Sequence, residues 1–216
     1  MRRIFFVVMV LLALGLFYVV VSANSRVLKS QNISIYIDPG HGGYDGGAIG
    51  SDGTNEASIA LKVSKYLAYY FEEIGFDVYL TRDGDYDLSN QGSNKKREDI
   101  HKRVKIINDS NVELFLSVHL NAIGSSKWSG AQTFFYGDNL ELAESIQNSL
   151  AIHLGTHRKA KNIRNIYLLE HIDKPGALIE IGFLSNNIEL ELLKTEKYQD
   201  DVAFAIYLGV INYLSE

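Results

Sequence analysis

The chain of 216 residues contains no cysteine and only two prolines. Without cysteine, no disulfide bond can hold the fold together and no thiolate can bind a metal ion. This absence fits an envelope protein that folds without oxidation, although it does not by itself fix the compartment. No internal repeat is visible, and the shares of 46% hydrophobic and 22% charged residues are ordinary for a globular protein with a full core. We therefore expect one folded domain.

The chain also lacks an excess of basic residues. Lysine and arginine number 21 and aspartate and glutamate 26, a net charge of −5. Arg2 and Arg3 are the only charged residues before Asn24, so the chain from Asn24 onward has 19 basic and 26 acidic residues, a net charge of −7. Because nucleic-acid phosphates attract clusters of lysine and arginine, this balance disfavours a nucleic-acid partner.

Four short stretches each carry one side chain that could bind a metal ion or transfer a proton. Two histidines and one carboxylate are enough to hold a catalytic zinc ion and to leave its fourth position open for water. A further glutamate can act as the general base on that water. The pattern predicts a zinc hydrolase if the fold brings the stretches together. In chain order they are residues 38–43 with His41, residues 54–56 with Glu56, residues 117–121 with His119 and residues 179–186 with Glu180.

Predicted strands place three of these side chains. Helical patterns separate the strands, so we expect an α/β fold, a three-layer sandwich with a largely parallel central sheet and helices on both faces. Sites in such sheets form at the carboxyl ends of the strands, which would bring His41, His119 and Glu180 to one edge. The strands are predicted from apolar, β-branched and aromatic runs at residues 33–37, 112–118 and 177–181.

Glu56 reaches this edge by a different route. Residues 42–53 form a loop with six glycines, and Thr54 or Asn55 can cap the helix that follows, because a short polar side chain accepts from free backbone donors. A carboxylate in the first turn of a helix is common, because the helix dipole favours it there. The loop that tethers Glu56 to His41 nevertheless favours a metal-binding role.

Glu180 lies inside an apolar run. Burying a carboxylate there is costly unless it is paired or coordinated, so the alternative to a site residue is an ion pair with an arginine. Desolvation raises the pKa of a carboxyl group, which suits a group that takes up a proton and returns it.

These stretches, in this order, resemble the zinc-dependent N-acetylmuramoyl-L-alanine amidases of the family often called amidase type 3. The resemblance covers roughly residues 33–214. It implies that His41, Glu56 and His119 bind one zinc ion per chain and that Glu180 is the catalytic glutamate. The family's motifs stand at residues 38–43 (Asp-Pro-Gly-His-Gly-Gly), 55–56 (Asn-Glu), 117–122 (Ser-Val-His-Leu-Asn-Ala) and 180–186 (Glu-Ile-Gly-Phe-Leu-Ser-Asn).

The resemblance also implies a substrate. It is the amide between the lactyl group of N-acetylmuramic acid and L-alanine in peptidoglycan. Arg82 and Arg103 match arginines of the family and could bind peptide carboxylates or form internal ion pairs. Asn121 could orient a ligand or contact the substrate, and His171 follows a predicted strand end near the site, where it could touch the substrate.

The N-terminus predicts export. Arg2 and Arg3 precede an apolar or small-residue run over residues 4–21, a pattern typical of secretory signals. Its 18 residues also approach the lower limit of a membrane span. We predict that residues 1–23 are a signal peptide or an N-terminal membrane anchor, that residues 24–31 are a linker, and that residues 32–216 form the catalytic domain outside the cytoplasm.

A lone catalytic domain behind one hydrophobic segment resembles the spore-cortex type of this family. That subtype implies action in the forespore intermembrane space, on the way to muramic lactam. Because no targeting module is visible, an accessory protein is expected as well. Two alternatives remain open, a zinc peptidase that cuts within the stem peptide and a non-catalytic wall-binding module.

Two further strands are predicted outside the motifs. One covers residues 130–136, at an edge of the sheet, and the other covers residues 161–169.

Overall fold

A computed structural model describes residues 33–90 and 95–216 of the chain. The strands are β1 (Ser34–Pro39), β2 (Asp77–Leu80), β3 (Leu114–Asn121), β4 (Gln132–Phe135), β5 (Lys161–Asn162) and β6 (Gly176–Phe183). The helices are α1 (Glu56–Glu73), α2 (Lys95–Asn108), α3 (Leu140–Leu154), α4 (Tyr167–His171), α5 (Asn187–Leu193) and α6 (Glu196–Leu214).

The predicted N-terminal segment and linker, residues 1–23 and 24–31, lie outside the described residues. Within the described ranges, no helix is long and apolar enough to cross a lipid bilayer.

The six strands form one mixed sheet in the order β2-β1-β3-β6-β4-β5. Strands β2, β1, β3 and β6 run parallel to one another, β4 is antiparallel to β6, and β5 is parallel to β4. The predicted largely parallel sheet is therefore confirmed. The strand predicted over residues 130–136 is confirmed by β4, but its predicted position at an edge is wrong, because the short strand β5 pairs with the outer side of β4.

Alternate residues of the strands face two different helical layers, as the period of two in a strand requires. Ile35, Leu116 and Ile179 are buried in a large core shared with α1, α3 and α6. Phe115 and Leu178 are buried on the other face in a smaller core, together with residues of α2 and α4. The predicted three-layer sandwich is confirmed by these two cores.

Helix α1 begins where the capping pattern predicts. Asn55, rather than Thr54, is the cap, and its side-chain oxygen accepts from the backbone N–H of Ser58 at 2.9 Å. Gly75, with a φ of 88°, follows the helix and donates its N–H to the carbonyl of Glu72. The N-terminal cap makes Glu56 the first residue of the helix.

Residues 161–169 do not form the single strand predicted. Lys161–Asn162 form the short strand, Ile163 makes one further backbone hydrogen bond to Phe135 of β4, and the chain then turns through Asn165, whose φ of 66° is left-handed. The Glu170 carboxylate accepts from the backbone N–H of Asn165 at 2.7 Å and so links this turn to α4. This turn depends on a side chain five residues later, which the apolar pattern cannot indicate.

Candidate active site

Three side chains with metal-binding atoms converge at the carboxyl edge of the parallel strands. His41 follows β1, His119 lies near the end of β3, and Glu56 opens α1. One nitrogen or oxygen of each lies within 4.8 Å of the others. The sequence therefore predicted this convergence correctly.

Glu56 is the centre of the group and is buried, with 4% of its surface exposed. Its Oε1 lies 2.9 Å from Nδ1 of His119, and its Oε2 lies 3.2 Å from Nε2 of His41. The backbone N–H groups of Leu120 and Ala48 donate to the same two oxygens. Burial alone would raise the pKa of Glu56, but the two histidines hold it well below its usual value. Glu56 is therefore a carboxylate at neutral pH.

The backbone at His41 is unusual. Its φ of 59° lies in the left-handed region, which few residues other than glycine adopt. Its Nδ1 lies 2.9 Å from Oδ2 of Asp45, which also pairs with Nζ of Lys96 at 3.0 Å. A carboxylate on one imidazole nitrogen fixes the ring and leaves the other nitrogen free for a ligand. We did not predict Asp45, although its position four residues after His41 in a glycine-rich loop was a usable signal.

A buried ion pair underlies the loop that carries His41. Asp38 and Arg103 are 1% and 3% exposed, and Oδ1 of Asp38 accepts from Nη1 of Arg103 at 2.7 Å. The hydroxyls of Thr81 and Ser117 also donate to Asp38, at 2.6 and 2.7 Å. Burial would raise the pKa of the Asp38 carboxyl, but Arg103 and the two hydroxyls hold it below its usual value. Sequence reasoning missed this role of Asp38.

Arg82 and Arg103 also donate to backbone carbonyls of the loop that carries His41, while Nε of Arg103 donates to the carboxylate of Asp99 at 2.8 Å. Arg103 donates to the carbonyls of Pro39 and His41 at 2.7 and 2.5 Å. Arg82, 1% exposed, donates to the carbonyls of Pro39 and Gly40 at 3.1 and 2.7 Å. Arg82 also reaches the carbonyl of Ala57 in α1, at 2.8 Å.

The predicted substrate contacts of these two arginines are therefore wrong. Their guanidinium groups are buried and already hydrogen-bonded, so peptide carboxylates cannot reach them. Arg103 instead forms an internal ion pair with Asp38, which was the alternative considered for it. Arg82 joins the loop of His41 to the helix of Glu56.

His171 is also misplaced by the prediction. Its backbone carbonyl accepts from the side chain of Asn108, the last residue of α2, at 2.8 Å. Its exposed ring stacks on Tyr167, with centroids 3.8 Å apart. Both α2 and α4 lead into the amino ends of strands, so His171 lies at the edge of the sheet opposite to His119. A contact with a substrate at the His41, Glu56 and His119 group does not fit this position.

Glu180 lies beside the three-residue group on the adjacent strand. Its register partner in β3 is His119. Its Oε2 is buried and has no hydrogen-bond partner among the described residues. Burial raises the pKa of Glu180 to about 7, with His119 acting in the opposite direction. The open alternative, an ion pair with an arginine, is not found within the described ranges.

Asn121 ends β3, two residues after His119. Its backbone carbonyl accepts from the N–H of Leu184 at 2.9 Å, which ties β3 to the turn after β6. The side chain of Asn121 is half-buried. Its contact with the substrate stays a prediction.

The donors fit a zinc ion. Two imidazoles and one carboxylate form a three-ligand set of the kind found in catalytic zinc proteins. Gly40 leaves room for one of them, because a Cβ at this position would lie 2.4 Å from Cε1 of His119. Oε2 of Glu180, which has no hydrogen-bond partner in the described ranges, lies on the strand beside His119 and is suited to a water molecule or a reacting atom.

A family model described as N-acetylmuramoyl-L-alanine amidase matches residues 35–212, which include all four motifs. The chain belongs to the N-acetylmuramoyl-L-alanine amidase family. This membership confirms the resemblance and the predicted enzyme class, a hydrolase of the amide between N-acetylmuramic acid and L-alanine.

Individual relatives of this amidase agree in sequence and fold. The germination-specific N-acetylmuramoyl-L-alanine amidase of Bacillus subtilis is 50% identical over 190 residues, which cover 84% of this chain and 80% of that protein. The CwlD amidase from Clostridioides difficile, solved in complex with the GerS lipoprotein, has a TM-score of 0.83 and 40% identity, covering 85% and 99% of the two chains. The amidase AmiC2 of Nostoc punctiforme has a TM-score of 0.77 and 29% identity, covering 86% and 98%.

The buried ion pair of the amidase yields a stability prediction. Arg103→Ala should lower the free energy of unfolding by about 3–5 kcal/mol, because it leaves the Asp38 carboxylate buried without its partner. It should also weaken metal binding, because His41 loses the donor on its carbonyl. Urea unfolding and metal titration measure the two effects.

Lys102→Ala is the matched control for this change. Lys102 precedes Arg103 in α2 and, within the described part of the chain, pairs with Glu98 alone, so the control should unfold like the parent. Equal stability of the Arg103→Ala variant and the control would refute the role assigned to the ion pair.

Proposed function

We propose that this amidase depends on one zinc ion per chain, with His41, Glu56 and His119 as ligands and Glu180 as the general base. One observation carries the proposal. Three candidate ligand atoms lie within 4.8 Å of one another, beside a buried carboxylate oxygen of Glu180 that has no hydrogen-bond partner among the residues described. The surroundings of Glu56 favour its charged form and those of Glu180 favour its neutral form, which suits Glu56 as a metal ligand and Glu180 as a proton carrier.

The two glutamates have different tasks in the reaction. A bound zinc ion supplies a Lewis acid that polarises the amide carbonyl and lowers the pKa of water. Glu180 takes a proton from the attacking water and returns it to the nitrogen of L-alanine as the carbon–nitrogen bond breaks. The products are a lactyl carboxylate on the glycan and a peptide with a free amine. Burial raises the pKa of Glu180 above its usual value, which suits a group that takes up a proton and returns it.

The surrounding residues keep the ligands in position. Asp45 orients the ring of His41, and the backbone N–H groups of Ala48 and Leu120 orient the carboxylate of Glu56. Arg82 and Arg103 hold the loop of His41 through its carbonyls. Such support outside the ligands usually contributes substantially to metal affinity.

The products distinguish this reaction from the two alternatives. Peptidoglycan incubated with the full chain and zinc should release intact stem peptides that begin with L-alanine, detected by mass spectrometry. A chelator should abolish the release and zinc should restore it. Shortened peptides would instead indicate a peptidase, and no release at all would indicate a wall-binding module. Full activity in zinc-free protein, verified by elemental analysis, would contradict the metal mechanism.

Conservative variants separate the ligand from the base. Glu180→Gln should keep near-parental zinc occupancy and lose roughly 10²–10⁴-fold in turnover, because it removes the proton acceptor alone. Glu56→Gln should lower zinc occupancy, and excess zinc should partly restore turnover. Elemental analysis and rate measurements on both variants give the comparison.

Glu73→Gln, at the exposed end of α1, is the matched control and should resemble the parent. The assigned roles are wrong if Glu180→Gln turns over like the parent. They are equally wrong if Glu180→Gln, and not Glu56→Gln, loses zinc.

The proposed location is the outer side of the membrane, with residues 1–23 as signal peptide or anchor. Deleting residues up to Ser25 should leave a soluble, folded domain that is no longer exported. Cell fractionation and circular dichroism measure these outcomes. An aggregated or unfolded truncated chain would mean that the boundary at residue 32 is wrong.

The proposed biological setting is the spore cortex. There the enzyme would remove the peptide from muramic acid, as a step towards muramic lactam. The germination-specific relative and the CwlD relative support it. Cortex from spores that lack this enzyme should contain no muramic lactam; normal lactam content would exclude the role.

We also propose an exported accessory protein, because the CwlD relative was solved in complex with a lipoprotein. Purification of the full chain from sporulating cells tests it. An exported partner should co-purify in constant ratio, and purification of the full chain without any exported protein would contradict the proposal.

A further inference from the structure

We propose that Trp128, Arg158 and Gln132 form a subsite that binds a pyranose ring of the glycan strand beside Glu180. This inference rests on the proposed function, because it states how the same site holds the sugar side of its substrate.

Trp128 is an exposed aromatic residue that is nevertheless held in place. About half of it is exposed, 51%. The guanidinium carbon of Arg158 lies 5.4 Å from its ring centroid, and the same carbon lies 4.7 Å from the ring centroid of Phe183. A cation between two aromatic rings restrains both of them. The indole is therefore an ordered apolar surface that solvent can reach.

Side-chain contacts lead from Trp128 through Arg158 to Gln132, which lies opposite Glu180 on the neighbouring strand. Gln132 is the register partner of Glu180 in the antiparallel pair of β4 and β6, so the two side chains lie on the same face of the sheet. Nη1 of Arg158 donates to the side-chain oxygen of Gln132 at 3.3 Å. A ligand that extends from Glu180 across Gln132 would thus reach Arg158 and then the indole.

The closing motif of the sequence fixes the loop that carries Trp128. The side-chain nitrogen of Asn186 donates to the carbonyls of Ser126 and Trp128, at 2.9 and 3.2 Å. Glu189 accepts from the backbone N–H groups of Gly130 and Phe183, at 2.7 and 2.8 Å. The residues after Glu180 therefore attach the Trp128 loop to the strand of the general base. This gives Asn186 a purpose that the sequence did not indicate.

The chemistry of this surface favours the glycan over the stem peptide. A pyranose presents polarised C–H groups on one face, and these fit the electron-rich face of an indole. Peptide carboxylates need a free cation, but Arg158 already donates to Gln132 and to the carbonyl of Ser129. The exposed Lys127 and Lys159 lie nearby, which makes peptide binding the alternative outcome of the test.

Tryptophan fluorescence tests the subsite directly, because Trp128 is the single tryptophan of the chain. The full chain in mild detergent is titrated with peptide-free glycan strands of N-acetylglucosamine and N-acetylmuramic acid, and separately with free stem peptide. The glycan should change the emission in a saturable way and the peptide should not. A response to the peptide alone would make this a peptide subsite, and no response to either would overturn the proposal.

Kinetics on polymeric peptidoglycan provide the second readout. Trp128→Ala should raise KM by about three- to tenfold, more than it lowers kcat, because a stacking contact to the sugar is lost. Trp128→Phe should retain part of the effect. Tyr69→Ala, which removes another exposed aromatic side chain from α1, should behave like the parent. A parental KM in Trp128→Ala would refute the subsite.

The two readouts separate this inference from the proposed function. If the parent hydrolyses peptidoglycan but neither emission nor KM responds as expected, the subsite is wrong and the amidase mechanism stands. If the glycan changes the emission but the parent releases no stem peptide, the mechanism is wrong and the sugar subsite stands.

Discussion

The paired burial of Asp38 and Arg103 is the interaction on which the site depends. A buried carboxylate and a buried guanidinium are each costly alone and are tolerated here because they satisfy one another. Arg103 also donates to the carbonyls of Pro39 and His41, and its Nε pairs with Asp99. The left-handed backbone of His41, which is unfavourable for a free chain, is maintained by these contacts.

The environment gives the two glutamates their different roles. Glu56 is surrounded by two histidines and two backbone donors, so its charged form is favoured despite burial. Glu180 is buried without a hydrogen-bond partner for Oε2 among the described residues, so its neutral form is favoured up to near-neutral pH. The same functional group therefore has a lowered pKa at Glu56 and a raised pKa at Glu180.

Much of the architecture was predictable because it depends on local patterns. The strands that carry His41, His119 and Glu180 follow from apolar runs, and the start of α1 follows from a capping side chain at Asn55. Two predictions failed, the edge position of β4 and a single strand over residues 161–169. The position of β4 depends on the pairing of β5 with its outer side, and the end of β5 depends on a turn that Glu170 stabilises. The pattern of apolar residues predicts neither contact.

The sequence by itself determined the family and a largely parallel sheet with candidate site residues at the carboxyl ends of its strands. It also identified the four residues that the fold brings together, His41, Glu56, His119 and Glu180. The order of motifs and the alternation of strands and helices are properties of the linear chain. Only the tertiary structure decided the tasks of the other polar residues. In the folded protein, Arg82 and Arg103 hold the loop of His41 in place and Asp45 contacts the ring of His41. His171 lies at the opposite edge of the sheet. The reason is that a charged side chain acquires its role from burial and from partners distant in sequence, and these exist only after folding.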